Sequence, residues 1–515
     1  MTKMARARIL EILFCAGFVA LIAIFFTFTA EDAWIVARYA RNAVENGALV
    51  YNRGDYVNAL TSPLDAMLRM PLHALSADPM LAHKLVAIAL SAATLAIGIA
   101  VLKHQALARL LFLALTALSA PFAVWTVGGL ETPLLALLVT AFTACLWAPR
   151  LRLYEAALLA GLAFLARHDS VLFTAPALLW AVRDQPFRRW IAGGLIAAVL
   201  PLAWLVFAFI YFHDPLPTSF HIKGPDLATL TLGYNAVYIA DFLLQSGLVL
   251  AAVAAYALAQ GRLIVPPLRR LVRTRIGLWV GVGATLAYGL LVATAHMMFS
   301  FRLFMPYLPV LAMLVSSLFA SAGDGAANAP RFTFAAAAGI AALQAMLAYA
   351  MATSTLNPSR VGEYQYVGAG EYRTFIASLA QAADAIDSDW HTHSPEEPRP
   401  PRIATFAAGL LPWRLPQAYI FEDLVSWRRA CFPDHRQNAA LADYVHLMTP
   451  WFGTLAEQLP GPADRWETIW QRTELFDGER QTWMVVRNRN PEAGTLPIYV
   501  DGACRLPPLQ LSQTR

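Results

Sequence analysis

The sequence predicts a polytopic α-helical membrane protein with a soluble domain at its carboxyl end. Of its 515 residues, 58% are hydrophobic and 14% are charged, which departs strongly from the composition of soluble globular proteins. Apolar segments long enough to cross a bilayer recur through residues 1–353, whereas residues 354–515 are polar and rich in Trp and Arg. We therefore predict a transmembrane domain over 1–353 and a C-terminal domain over 354–515.

About eleven transmembrane helices are predicted, on the criterion of roughly 20 apolar residues per crossing. The first is too long and too aromatic for a cleaved signal peptide, so we expect a retained helix. The fifth and sixth are short and are separated by three ionisable residues. The predicted spans are 9–28, 81–102, 107–126, 132–148, 153–166, 170–183, 190–212, 235–258, 276–298, 303–322 and 332–353.

The basic residues predict the orientation of these spans. Lys and Arg together exceed Asp and Glu, 39 against 34, and they cluster in short loops between apolar segments. With the amino terminus inside, every loop on the inner face is basic, as the positive-inside rule requires. The first outer loop (29–80) and the C-terminal domain then share the outer face. The inner loops lack the interleaved aromatic residues of a nucleic-acid site, so no nucleic-acid partner is expected.

Two helices are predicted in the first outer loop, both lying along the membrane surface. The first covers 32–45 and places Asp32, Ile35 and Tyr39 on one face. The second starts at Pro63, after Ser62 as the capping residue, because Pro is favoured at the first position of a helix.

A small α/β or α+β fold is predicted for the C-terminal domain. Its Cys431 and Cys504 could pair if the domain is exported. Helices are predicted at Gly370–Ile386 and Asn438–Met448, and strands at Arg402–Phe406, Thr482–Arg487 and Pro497–Val500.

Glu31 and Asp32 are the central candidates for a functional site. They follow the first apolar span directly, and an ionisable pair at the mouth of a transmembrane segment is costly to desolvate. The alternative is a capping role, because Thr29-x-x-Asp32 fits a capping box at a helix start. Capping explains Asp32 well and Glu31 only partly.

Other ionisable residues are predicted on the same outer face. Arg167, His168 and Asp169 lie between two short apolar segments, where a functional role is favoured over a purely structural Arg167–Asp169 pair. Glu131 begins a span, and a helix N-terminus favours a negative charge with or without a role in chemistry.

Three basic residues near later spans are candidates for binding a phosphate. His221 and Lys223 lie in a loop stiffened by two prolines, and the Lys ammonium suits a phosphate oxygen. Arg302 could bind a phosphate with two hydrogen bonds, or extend towards lipid headgroups. The sequence has no Gly-rich phosphate loop, no nucleotide-binding fingerprint and no Cys/His zinc spacing, which argues against a soluble nucleotide-dependent enzyme.

Several of these segments resemble lipid-linked-sugar glycosyltransferases of the GT-C fold, most closely the terminal β-arabinofuranosyltransferase family of mycobacterial cell walls. That family usually has Asp-Asp in place of Glu31-Asp32, Pro in place of His168, and Asn-Thr in place of Thr218-Ser219. The resemblance is faint at Thr405–Trp413 in the C-terminal domain. It is carried by Glu31–Asn42, Gly47–Asn52, Leu60–Leu64, Gly129–Pro133, Arg167–Asp169, Asp214–Gly224 and Phe301–Pro306.

The resemblance implies a glycosyltransferase that moves a sugar, arabinofuranose in that family, from a polyprenyl-phosphate donor to a glycan, lipid or protein acceptor. The reaction is expected at the outer face of a bacterial cytoplasmic (inner) membrane. No cofactor is firmly implied, and a divalent cation, if used, would bind Glu31 and Asp32. The implied catalytic residues are Asp32 and Glu31, and the implied donor-binding residues are Arg38, Tyr39, Glu131, Arg167, His168, Asp169, His221, Lys223 and Arg302.

Two other classes of protein share parts of this pattern. A lipid-sugar flippase or transporter also carries intramembrane charges, but it is expected to show internal repeats, and none is seen in the sequence. A non-catalytic envelope assembly subunit would leave the outer carboxylates dispensable, so substitution of Asp32 separates it from an enzyme.

Overall fold

The protein is mostly helical, with a small β-sheet near its carboxyl end. The residues described by the computed structural model are 3–222, 232–253, 275–292, 299–323, 329–353, 369–394, 396–397, 399–422, 425, 439–449, 454–476, 479–491, 498–500 and 503–505.

The α-helices are numbered in chain order. Those up to residue 222 are α1 Lys3–Phe25, α2 Ala33–Asn46, α3 Pro63–Leu75, α4 Pro79–Val101, α5 Ala106–Thr116, α6 Ala120–Val127, α7 Thr132–Trp147, α8 Leu153–Ala166, α9 Val171–Val182, α10 Phe187–Phe212 and α11 Thr218–Ile222. The later ones are α12 Leu232–Gln245, α13 Ile276–Val292, α14 Leu308–Gly323, α15 Ala329–Thr353, α16 Ala369–His393, α17 Leu410–Arg414 and α18 Leu455–Gln458. Short 3₁₀ turns occupy His168–Ser170, Phe299–Phe301, Met305–Tyr307 and Ala463–Arg465.

Within the described ranges, four helices are long and apolar enough to cross a membrane: Ala7–Phe25, Pro79–Val101, Phe187–Phe212 and Thr333–Thr353. The bent pair α5 and α6 gives a fifth if it forms one span. Shorter apolar helices lie at Thr132–Trp147, Leu153–Ala166, Ile276–Leu291 and Met305–Leu318. The described residues therefore agree with several predicted spans, and the count of eleven stays a prediction.

The span predicted at 107–126 is two helices rather than one. α5 and α6 meet at an angle of 62°. The Ser119 hydroxyl caps α6 by accepting the N–H of Phe122 at 3.3 Å, and Pro121 lies in the first turn. Because proline cannot donate a backbone hydrogen bond and clashes with the preceding turn, a continuous helix is disfavoured here.

The two helices predicted in the first outer loop are present as α2 and α3, which pack against each other. Their position along the membrane surface stays a prediction. α2 ends at Gly47, whose φ of 69° is a left-handed conformation that glycine adopts without steric cost. α3 begins at Pro63 as expected, although the Ser62 hydroxyl makes no capping hydrogen bond.

The C-terminal domain contains a mixed five-stranded sheet in the order β2-β1-β3-β5-β4. β1 pairs in parallel with β2 and β3, and β5 pairs antiparallel with β3 and β4. Its helix α16 packs against β4 and β5. The strands are β1 Arg402–Ala404, β2 Tyr419–Phe421, β3 Tyr444–Thr449, β4 Trp466–Phe476 and β5 Glu479–Asn488, with β6 Ile498–Val500 and β7 Ala503–Arg505 forming a separate pair.

One helix prediction in this domain is wrong. The segment predicted as the helix Asn438–Met448 contains instead the strand β3, in which Tyr444 to Met448 are all buried. A strand covered on both faces has no alternation of apolar and polar residues, so its pattern resembles that of a buried helix. The Cys431–Cys504 pair lies outside what the structure describes, because Cys431 and the side chain of Cys504 are not among the described parts of the chain.

The first outer loop is bound tightly to the C-terminal domain. Buried Arg38 donates to the carbonyls of Pro412, Leu415 (3.2 Å) and Ala418 (2.7 Å). Asn52 makes two hydrogen bonds with the backbone of Ile420, at 2.9 and 3.1 Å. Segments in such contact lie on the same side of a membrane, and which side that is stays a prediction.

Candidate active site

A buried carboxylate, Glu131, lies between two arginines at the start of α7. Its Oε1 is 3.8 Å from Arg167 Nη1 and 3.7 Å from Arg302 Nη2, and the residue is 2% exposed. Its side chain makes no capping hydrogen bond. A buried charge is costly unless it is paired, and here two guanidinium groups and a helix N-terminus compensate it.

Arg167 and Asp169 form a bidentate ion pair in the break between α8 and α9. Arg167 Nε and Nη2 donate to the two oxygens of Asp169 at 3.1 and 2.6 Å. Burial lowers the pKa of Arg167, but Asp169 and Glu131 outweigh burial and raise it overall. The pair predicted as the structural alternative is thus present, and the same arginine also faces Glu131.

Arg302 joins Asp32 to this cluster. Its Nη1 donates to Asp32 Oδ2 at 2.7 Å. The Asp32 side chain is 46% exposed, against 16% for Arg302. Asp32 occupies the N-cap position of α2 but makes no side-chain capping bond, so its described partner is the arginine rather than the helix.

The backbone before Arg302 is strained. Ser300 and Phe301 have φ angles of 45° and 57°, a left-handed conformation that costs on the order of 1–3 kcal/mol at a non-glycine residue. Trp125 Nε1 donates to Ser300 O at 2.9 Å, and the Trp125 ring lies 5.8 Å from the Arg302 guanidinium carbon. These contacts aim Arg302 inward at Asp32 and Glu131 rather than outward at lipid headgroups.

Glu31 points away from this cluster, towards the C-terminal domain. Its carboxyl accepts the N–H of Gly409, and its own N–H donates to Tyr372 Oη at 2.6 Å. A Cβ atom at position 409 would overlap the carbonyl and carboxyl oxygens of Glu31, so only glycine fits. Burial, and secondarily Asp32, raises the pKa of Glu31 to about 8.

The two carboxylates do not form a convergent set of ligands for a divalent cation. Glu31 is largely protonated at neutral pH because of its raised pKa, and cations of this class bind ionised oxygens. Asp32 is held by Arg302. Within the described ranges, no three His, Cys, Asp or Glu side chains are grouped so that they could hold a metal ion.

The remaining predicted residues lie elsewhere. Arg38 bonds to carbonyls of the C-terminal domain, and Tyr39 donates to Val57 O at 2.7 Å. His168 packs edge-on against Phe164 with ring centroids 4.8 Å apart, and burial lowers its pKa to about 4. The structure therefore gives Arg38, Tyr39 and His168 no described contact with the Asp32–Arg302 pair.

The loop after α10 is only partly described. His221 Nε2 lies 2.9 Å from Asp214 Oδ2, with half of its side chain exposed. The loop is fixed to the first outer loop, because Thr218 N donates to Asn58 O at 2.7 Å. Lys223 lies outside the described residues, so its predicted role is untested.

A second buried network supports the turn that carries Glu131, and the sequence analysis missed it. Asp65 accepts a hydrogen bond from Arg69 Nε at 2.7 Å and lies 2.8 Å from His83 Nε2. Arg69 in turn donates to the carbonyl of Gly129. The i,i+4 spacing of Asp65 and Arg69, and an ionisable His83 inside an apolar span, were the available signals.

The raised pKa of Glu31 predicts a pH-dependent loss of stability. Between its usual pKa of 4.5 and about 8, the folded protein holds a proton that the unfolded chain releases, so stability falls as the pH rises through this window. Glu31→Gln keeps the acceptor for Gly409 and removes the titration. We expect the melting temperature of this variant to decline less than that of the wild type between about pH 6 and pH 9.

A thermal-shift series across this pH range measures the difference. Glu457→Gln is the matched control, because the backbone N–H of Thr454 lowers the pKa of Glu457, which does not titrate in this window. If wild type and Glu31→Gln lose stability in parallel, Glu31 is already ionised at neutral pH and does not dock the C-terminal domain as a neutral acid.

The fold is similar to that of ArnT from Cupriavidus metallidurans, solved bound to undecaprenyl phosphate and in the apo state. The TM-scores are 0.56 and 0.53, at 14% sequence identity, and each alignment covers 92% of this chain and 97% of the other. No protein-family model matches the chain, and no curated protein matches it. The chain therefore has the fold of ArnT, and its resemblance to the arabinofuranosyltransferase family stays a prediction from the sequence.

Proposed function

We propose that this protein is a membrane glycosyltransferase that moves a sugar from a polyprenyl-phosphate donor to an acceptor hydroxyl. The observation that carries the proposal is Arg302, held between the partly exposed carboxylate of Asp32 at the start of α2 and the buried carboxylate of Glu131 at the start of α7. The contact between Asp32 and Arg302 places a base next to a cation that can bind a phosphate. The ArnT structure that holds undecaprenyl phosphate supports the class of donor.

The proposed reaction is a single displacement at the anomeric carbon. The acceptor oxygen forms a bond to that carbon, the bond from carbon to the phosphate oxygen breaks, and its electron pair leaves with the phosphate. Asp32 takes the proton of the acceptor hydroxyl. Arg302 and Arg167 stabilise the charge that develops on the phosphate. Because the acceptor attacks opposite the leaving group, the configuration inverts.

The Asp32–Arg302 ion pair has to open for this reaction to occur. A carboxylate paired with a guanidinium at 2.7 Å is a weakened base, because the positive charge favours its ionised form. The donor phosphate is itself an anion and competes with Asp32 for Arg302. Donor binding therefore frees the base, and the donor binds before the acceptor is activated.

The finer assignments rest on the residues that resemble the arabinofuranosyltransferase family. By that resemblance the sugar is arabinofuranose and the acceptor is a glycan, lipid or protein of the cell envelope. The basic loops, and the contact of the first outer loop with the C-terminal domain, support a bacterial inner-membrane protein whose site faces outward.

Reconstitution in liposomes tests the proposal against its alternatives. The purified protein is given a synthetic polyprenyl-phosphate donor with a radiolabelled sugar, together with envelope glycan fragments. We expect acceptor-dependent release of polyprenyl phosphate and label in the glycan. Movement of intact donor across the bilayer would indicate a flippase, and absence of both activities with several sugars and acceptors would indicate an assembly subunit.

A further inference from the structure

A cavity of about 490 Å³ lies between the first outer loop and the C-terminal domain. Arg38 and Arg53 line it from the outer loop. Arg399, Gln417, Ala418 and Tyr419 line it from the C-terminal domain. The cavity thus has walls from both segments, and three of the residues that line it are arginines.

Two of these three arginines lack a carboxylate partner in the described part of the chain. Arg38 is 1% exposed, and all its hydrogen bonds go to uncharged carbonyls, including Tyr51 O at 3.0 Å. Arg53 is exposed and forms no ion pair there. Arg399, by contrast, is neutralised by Asp443 at 2.6 and 2.8 Å.

One buried carboxylate, that of Asp55, lies next to the cavity wall. Asp55 accepts a hydrogen bond from Tyr419 Oη, on the cavity wall. Arg38 and Arg53 act on each other as like charges, which adds to the lowering of the Arg38 pKa by burial. A bound anion would weaken the repulsion between Arg38 and Arg53, and it would compensate the buried charge of Arg38.

The cavity lies within reach of the proposed reaction centre. Arg38 follows Asp32 by six residues on α2, which is about 9 Å along the helix axis and about a third of a turn around it. A short oligosaccharide spans such a distance. Trp34, one helical turn before Arg38, pairs with Trp413 at 5.3 Å between ring centroids and offers a partly exposed aromatic face of the kind that packs against apolar groups.

We propose that this cavity binds the carboxylate or phosphate group of an anionic saccharide acceptor whose reacting hydroxyl lies at Asp32. The inference rests on the proposed glycosyl transfer, and it further specifies that the acceptor is negatively charged. The exposed guanidinium of Arg53 can offer either anion two parallel hydrogen bonds. Arg38 adds positive charge only, because its nitrogens already donate to carbonyls. The C-terminal domain then contributes to acceptor selection through Gln417, since Arg399 is paired with Asp443.

Binding to the full-length purified protein tests this inference separately from transfer. The probes are digalacturonate, galactose 6-phosphate, inorganic phosphate and neutral galactobiose, measured by calorimetry. We expect at least one anionic saccharide to bind more tightly than galactobiose and inorganic phosphate. Arg53→Gln is expected to weaken that binding about tenfold or more, since a hydrogen bond to a charged group is lost.

The matched control is Arg489→Gln, which changes an exposed arginine in the C-terminal domain whose partner is Glu467 at 3.2 Å. It should leave anionic saccharide binding unchanged. Neither variant should alter the affinity for undecaprenyl phosphate, because neither residue contacts the Asp32–Arg302 cluster in the described structure.

The inference is overturned if galactobiose binds as well as the anionic saccharides, if inorganic phosphate binds equally well, or if Arg53→Gln has no effect. Displacement of the saccharide by phosphatidylglycerol vesicles would likewise overturn it in favour of a lipid headgroup. If saccharide binding depends on Arg53 but no donor is cleaved, the cavity assignment stands and the proposed transfer fails. If transfer occurs without such binding, the transfer stands and the cavity assignment fails.

Discussion

Asp32→Asn is expected to reduce sugar transfer by about 10²–10⁴-fold, because an amide cannot take the proton of the acceptor hydroxyl. The substitution preserves the size of the side chain and its ability to accept a hydrogen bond from Arg302. The fold should therefore remain intact, since Asp32 is partly exposed and makes no capping bond. Initial rates with purified protein and a polyprenyl-phosphate donor measure the loss.

The same variant should bind undecaprenyl phosphate more tightly than the wild type does. Asp32 competes with the donor phosphate for Arg302, and removing its charge removes the competitor. A role for Asp32 in holding a bound cation predicts the opposite change in affinity. Titration of the wild type and of Asp32→Asn with undecaprenyl phosphate therefore distinguishes two roles of Asp32. Tighter binding by the variant indicates a base that the donor releases from Arg302, and weaker binding indicates a metal ligand.

Glu31→Gln is the matched control for this experiment. It makes the same chemical change at the neighbouring position, where the carboxyl faces Gly409 and is largely neutral at pH 7 because its pKa is raised to about 8. Transfer should be only mildly affected. If Asp32→Asn transferred sugar at a near-normal rate, Asp32 would have a structural role, and Glu131 or Asp169 would become the candidate base.

The sequence predicted those parts of the site that have an unusual chemical setting. Asp32, Glu131, Arg167 and Arg302 are ionisable residues at the ends of apolar spans, where charge is costly without a partner. The structure brings these residues into contact across up to 270 residues of chain, and Asp169 joins them through Arg167. Their catalytic and binding roles stay predictions.

The sequence could not predict contacts that depend on how distant segments dock. Glu31 and Arg38 carry no local signal that distinguishes a reacting group from a group that binds backbone atoms of the C-terminal domain. Their partners, Gly409 and Pro412, lie more than 370 residues away. The requirement for glycine at position 409 arises only from its close approach to Glu31.

The helix and strand predictions also depended on whether a segment has a strong local sequence pattern. α2 and α3 have amphipathic patterns with strong start and stop signals, and their sequences predict them well. β3 is buried along five consecutive residues, so it lacks the alternation that identifies a strand. The break between α5 and α6 comes just before Pro121, a residue that a criterion based on apolar length alone does not consider.

Arg302→Gln is expected to reduce transfer by about 10²–10³-fold, the usual effect of removing one group that stabilises developing negative charge. It also leaves Glu131 with Arg167 as its described cationic partner, at 3.8 Å. The thermal stability of each variant should therefore be measured alongside its rate. Arg302→Lys keeps the charge without the planar fork and should recover part of the activity.

The decisive readout for Arg302 is again the affinity for undecaprenyl phosphate. Arg302→Gln should weaken binding, whereas Asp32→Asn should strengthen it, because one removes the cation and the other removes its competitor. Arg414→Gln, an exposed arginine paired with Asp384, is the control that should change neither affinity nor rate. Unchanged donor affinity in Arg302→Gln would mean that the phosphate is held elsewhere, and the contact with Asp32 would then be an ion pair without a role in donor binding.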